Sequence, residues 1–102
     1  VIHGKLVRDK IPAIIRAAGK KPVVLDLNNE DYKRALALKL CEEAAEFERS
    51  GSFEELADVM EVLKAILVMA GLSFSDLETA RMDKRLRRGG FEAMQWLVKV
   101  DD

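Results

Sequence analysis

Glu43 and Glu46 stand three residues apart, and so do Glu55 and Asp58. On a helix that spacing places each pair on one face, with about 5–6 Å between Cβ atoms. Gly51 lies between the pairs, five residues after Glu46 and four before Glu55. If the chain doubles back at Gly51, Glu46 comes level with Glu55, and Glu43 with Asp58 one turn deeper. Four carboxylates then converge between two helices. Like charges crowded into a half-buried site are unfavourable without a counterion, and a divalent cation resolves the conflict. Neither helix holds a histidine, and Cys41 is not at a matching position. An all-oxygen site suits Mg²⁺ or Mn²⁺ and disfavours zinc and glutamate–histidine di-iron centres. Magnesium keeps waters and shares its shell with substrate phosphates, which points to phosphate-ester or phosphoanhydride chemistry.

Glu61 continues the Glu55, Asp58 series by another three residues. It can serve as a further ligand, an orienting group or a base for water. Downstream, Arg81, Lys84, Arg85, Arg87 and Arg88 fall within eight residues. Lys84 and Arg88 are four apart, share a helix face and can together grip a polyphosphate. Gly89-Gly90 would let backbone amides approach an anion. Lys5, Arg8 and Lys10 form a second basic group around Asp9. Plainer readings compete with these. Glu42, Glu48 and Glu54 read as solvated surface. Ser52-Phe53-Glu54-Glu55 is also a capping-box sequence, in which Glu55 would reach back to the Ser52 amide. Basic residues ending a helix favour its negative terminus by a few tenths to about 1 kcal/mol each.

The elements that must position these groups can be read along the chain. His3 to Val7 is short and extended. Asp9 is a potential N-cap for a helix from Lys10 to Ala18, with Pro12 in its first turn and Gly19 ending it. Val23 to Leu27, after the Lys20-Lys21-Pro22 turn, reads as a strand. Asn28 and Asn29 offer a cap for a long helix ending near Arg49, with an apolar stripe of Tyr32, Leu36, Leu40, Ala44 and Phe47. Ser50-Gly51-Ser52 breaks it. A third helix follows from Phe53 to Met69, its stripe running Leu56, Val59, Leu63, Ile66 and Ala70, and Gly71 ends it. Ser73 or Ser75 caps a fourth helix from Asp76 to Arg87, stopped by Gly89-Gly90. Met94 to Val100 is apolar and reads as a second strand, able to pair with Val23–Leu27 within the chain or across a dimer.

The resulting expectation is all-α: one domain over residues 1–102, built on an antiparallel hairpin with one or two short peripheral strands. Two long helices with wide apolar faces do not bury themselves, so a homodimer or larger assembly is expected to complete a four-helix bundle. Composition agrees. The 102 residues are 49% hydrophobic and 34% charged, which excludes disorder. A net charge of −1 argues against bulk attraction to nucleic acid or to anionic membrane. The longest apolar run, Ala65 to Ala70, is far short of the roughly 20 residues that span a bilayer. No secretory leader pattern opens the chain, and the lone Cys41, read as a buried small hydrophobe, needs no oxidising compartment. A cytoplasmic protein is expected, with Val1 in place of Met suggesting trimming or processing.

Glu42-Glu43-Ala44-Ala45-Glu46 followed by Glu55-Leu56-Ala57-Asp58 resembles the EExxE…ExxD motif of the MazG-like all-α nucleoside triphosphate pyrophosphohydrolases. Lys5-Leu6-Val7-Arg8-Asp9-Lys10-Ile11-Pro12 and Lys84…Arg88-Gly89-Gly90-Phe91 resemble the small, stand-alone house-cleaning branch of that superfamily. The three blocks, in this order, cover nearly the whole chain. The resemblance implies Mg²⁺-dependent hydrolysis of a nucleoside triphosphate to monophosphate and pyrophosphate, with Glu43, Glu46, Glu55 and Asp58 as metal ligands. It also implies dimers or dimers of dimers, and phosphate contacts from Lys84 and Arg88. The chain departs from the family in two places. Only eight residues separate Glu46 from Glu55, and Met82 stands where an asparagine is frequent.

On this reading Glu46 or Glu61 positions or deprotonates the attacking water, and Lys84 and Arg88 neutralise the leaving pyrophosphate, with Arg8 and Lys10 as further substrate-binding groups. Two alternatives remain open. One is hydrolysis of phosphoribosyl-ATP with the same acid pattern. The other is a non-catalytic dimeric helical adaptor whose acids are solvated. Nucleic acid is not the expected partner.

Overall fold

The computed structural model describes residues 4–102, which divide into two units, one reaching to Gly71 and the other running from Leu72 to Asp102. Four helices follow in order: α1 (Ile11–Ala17), α2 (Asn29–Ser50), α3 (Phe53–Ala70) and α4 (Phe74–Arg88). Helix is the regular structure of the described residues, in agreement with the all-α part of the expectation. His3 lies outside the described residues, and from Gly4 the chain is irregular up to α1.

Local chemistry sets the helix ends. Asn28 Oδ1 accepts from the Asp31 amide at 2.8 Å and starts α2. Gly51 stops it in the left-handed region, at φ 63°, where its amide donates to the Phe47 carbonyl at 2.7 Å. A residue with a Cβ is strained there, and glycine is not. Only Gly51 and Ser52 separate α2 from α3, so the helices must run antiparallel, and they pack along each other. Leu36, Val62 and Leu67 are buried in this hairpin, and Tyr32, Leu40, Val59, Leu63 and Ile66 are half-buried. The α2 stripe holds at Tyr32, Leu36 and Leu40. On α3 the buried face is rotated, because Val62 and Leu67 take the centre while Leu56 and Ala70 are exposed. Cys41 is exposed rather than buried, being about 100° around the helix from Leu40.

The first helix is shorter than the sequence suggested. Its N-cap is Lys10 rather than Asp9, with no side-chain cap, because a turn joining the Arg8 carbonyl to the Ile11 amide at 3.0 Å precedes it. In the second unit, α4 begins two residues before the anticipated Asp76. A capping box explains this: the Asp76 amide donates to Ser73 Oγ at 3.1 Å, and the Ser73 amide to Asp76 Oδ2 at 2.8 Å. Burial adds nothing here, since no residue from Leu72 to Asp102 is buried.

Neither expected strand is formed among the described residues. Val23–Leu27 and Met94–Val100 both run without a ladder. A strand requires a partner backbone as well as a β-branched composition, and neither segment has one here. Val23, Leu25, Trp96 and Val98 are each more than four-fifths exposed in consequence.

Candidate metal centre

The hairpin brings Glu43 from α2 together with Glu55 and Asp58 from α3. One carboxylate oxygen of each lies within 4.8 Å of the other two. All three residues are half-buried. The capping-box alternative for Glu55 is not realised. Ser52 Oγ accepts from the Glu54 amide at 3.2 Å, and the Glu55 amide bonds to the Ser52 carbonyl, leaving the Glu55 side chain with the acids. Partial loss of water and then the negative charges of Asp58, Glu46 and Glu43 raise the Glu55 pKa above its ordinary value. Glu55 has no cation partner among the described residues.

The other acids do have partners. Arg8 Nη2 donates to Asp58 Oδ1 at 2.6 Å, across fifty positions of sequence. Lys39 Nζ lies 3.3 Å from Glu43 Oε1 and 3.4 Å from Glu42 Oε2. Lys39 and Glu43 are the most enclosed ion-paired side chains among the described residues, at 15% and 13% exposure. Glu46 turns to Arg49, at 2.6 Å, yet its charge still reaches Glu55. Lys5 Nζ lies 3.6 Å from Glu42 Oε1. Three of the four anticipated acids therefore meet, and the fourth sits beside them in its own ion pair.

Glu61 is exposed and outside this group. Lys10 is exposed at the start of α1. Lys84 and Arg88 are exposed on α4, in the second unit. There Arg85 pairs with Glu92 at 2.8 Å, and Arg81 with Glu78 one turn back. Sequence reasoning missed Lys39, although its i,i+4 spacing to Glu43 was a usable signal. The Arg8–Asp58 pairing carries no local signal at all. A hollow of about 120 Å³ lies between residues 4–6 and α2, lined by Lys5, Leu6, Leu38, Lys39 and Glu42 among others. That is well below the roughly 300–1,000 Å³ of ordinary ligand clefts.

The donor set fits a hard divalent cation. It is all carboxylate oxygen, drawn from two helices packed along each other, and it includes Glu55, whose pKa partial loss of water and the neighbouring acids raise above the ordinary value. No helix among the described residues is long and apolar enough to cross a membrane.

No family model matches the chain, and no solved structure matches it. An uncharacterised protein of Mycolicibacterium smegmatis is 52% identical over 42 residues, which make up 41% of this chain and 43% of that protein. The likeness thus covers less than half of either sequence.

Proposed function

We propose that this protein is a Mg²⁺-dependent nucleoside triphosphate pyrophosphohydrolase of the house-cleaning kind. The observation carrying this reading is the meeting of Glu43, Glu55 and Asp58 across the α2–α3 turn. These three would hold the cation, with Glu46 as the fourth carboxylate. A bound Mg²⁺ would screen the triphosphate charge and acidify water. Glu46 and Glu61 are the candidate groups for orienting that water or accepting its proton. Arg8 and Lys10, in the same unit as the acids, are phosphate-binding candidates, and Lys84 and Arg88, one turn apart on α4, are a basic pair suited by themselves to phosphate. Pyrophosphate leaves as the α-phosphorus is attacked in line.

A second copy of the chain belongs to this proposal. Leu38, Met60 and Val68 are each more than half exposed on the hairpin, and a facing hairpin would cover such residues. A homodimer or tetramer would also offer a partner backbone to Val23–Leu27 and Met94–Val100. A cytoplasmic location accords with this chemistry.

A panel of canonical and modified NTPs and dNTPs, incubated with and without Mg²⁺, tests the reaction. Metal-dependent release of monophosphate and pyrophosphate is the expected result. Diphosphate plus phosphate would refute attack at the α-phosphorus. Glu43→Gln and Asp58→Asn should each lower turnover more than about a hundredfold, since even outer partners of metal ligands are worth ten- to a hundredfold. Circular dichroism should stay helical, and retained activity in either variant sinks the assignment.

One observation favours the adaptor reading instead. Arg8, Lys39 and Arg49 already balance Asp58, Glu43 and Glu46. An adaptor predicts no Mg²⁺-dependent stabilisation and no turnover, on phosphoribosyl-ATP as on free triphosphates.

A further inference from the structure

We infer that Arg8 and the divalent cation compete for Asp58, so that the segment from Gly4 to Lys10 acts as a strap that the cation releases. The inference rests on the metal reading above. Arg8 delivers a guanidinium from irregular chain onto α3, donating at 2.6 Å to a carboxylate that is one of the three converging acids. Lys5 of the same segment lies 3.6 Å from Glu42 on α2. The strap is therefore tied by charge to both helices of the hairpin, and both ties end on acids in or next to the cluster.

The pairing is suited to exchange. Arg8 and Asp58 are 57% and 39% exposed, so the bond is screened and weak. A hard divalent cation carries two charges and takes oxygens from several carboxylates at once, whereas a guanidinium carries one. Lys39 differs, because it sits on the same helix as Glu43, at i,i+4, and cannot withdraw far from it. When Arg8 leaves Asp58 it takes its guanidinium charge with it. Its planar fork then becomes free beside the site, and it matches two phosphate oxygens at once. The group that neutralises Asp58 before the cation arrives thus becomes a phosphate-binding group afterwards.

Titration calorimetry of Mg²⁺ into the full chain, without nucleotide, tests this with the wild type, Arg8→Gln and Arg8→Lys. Removing an exposed ion pair should tighten Mg²⁺ binding about 1.5- to fivefold in Arg8→Gln. Arg8→Lys should fall between that variant and the wild type. In the wild type the Arg8 side-chain Nε–H NMR signal, identified by its loss in Arg8→Gln, should move toward that of a free guanidinium as Mg²⁺ is added. Equal or weaker binding by Arg8→Gln overturns the competition while the metal site stands. Tighter binding with an unmoved Arg8 signal reduces the effect to bulk charge and also overturns it. Absence of Mg²⁺ binding in all three proteins brings down the metal reading together with the strap.

Discussion

The α2–α3 hairpin and the segment from Leu72 to Asp102 are both helical, but different interactions hold them. In the hairpin, Leu36, Val62 and Leu67 are buried, and residues far apart in sequence meet, as Glu43 and Asp58 do. In the second unit nothing is buried, and α4 is held by its own ends and faces. Its supports are the Ser73–Asp76 capping box, the Glu78–Arg81 pair one turn apart and the basic last turn of Arg85, Arg87 and Arg88. Isolated helices of this length are marginal in water, so local devices alone hold α4 weakly. The converging acids belong to the region with a core, where the packed α2–α3 hairpin fixes the backbone that carries them. The basic residues of α4 belong to the region without one, where Arg81 and Arg85 are held by ion pairs to Glu78 and Glu92.

Breaking the core should have the largest effect. Leu36→Ala empties the most enclosed position of the hairpin, at 2% exposure, and should cost about 2–5 kcal/mol in urea denaturation. Leu86→Ala, at an 80% exposed site on α4, should stay within about 0.5 kcal/mol of wild type. Equal costs at the two sites would erase the contrast. The cap comes next. Ser73→Ala should weaken α4 by about 1 kcal/mol, read as faster amide exchange over residues 74–88 with the hairpin unchanged. Asp76 sharpens that test, since its hydrogen bonds to the Ser73 backbone and hydroxyl lower its pKa. Its contribution is present above the ordinary Asp value of 3.8 and is lost as pH falls through the lowered one.

The smallest expected effect concerns Glu55. Its folded pKa is raised, so the metal-free folded state takes up this proton more readily than the unfolded chain. The strain is therefore present above the raised pKa. It is relieved as pH falls through it and is gone below the ordinary 4.5. Glu55→Gln should raise the melting temperature of the metal-free protein at neutral pH, with the gain shrinking on acidification. A gain independent of pH would show that carboxylate repulsion is not the cause.

Much of this was legible in the residues. Asn28, Ser52 and Ser73 act as N-caps, and Gly51 and Gly71 end helices in the left-handed region, because capping and positive φ are decided by the nearest few residues. The short turn at Gly51 dictated an antiparallel hairpin, and the hairpin dictated which acids stand level. The two expected strands are not formed among the described residues, and composition alone could not place them. β-branched composition is local, whereas a ladder needs a second backbone that the sequence cannot place.

Helix ends, the hairpin and the approximate meeting of the acids were thus determined by sequence, through hydrogen bonds and torsions that span at most a few turns. Only tertiary structure decided which face of α3 is buried, since helical phase depends on how α2 packs against it. It also decided that Glu46 turns to Arg49 while Glu55 joins Glu43 and Asp58. Above all it decided that Arg8 reaches Asp58. Fifty residues separate them, and no periodicity operates over that distance; only the folded path of the chain brings the two charges together.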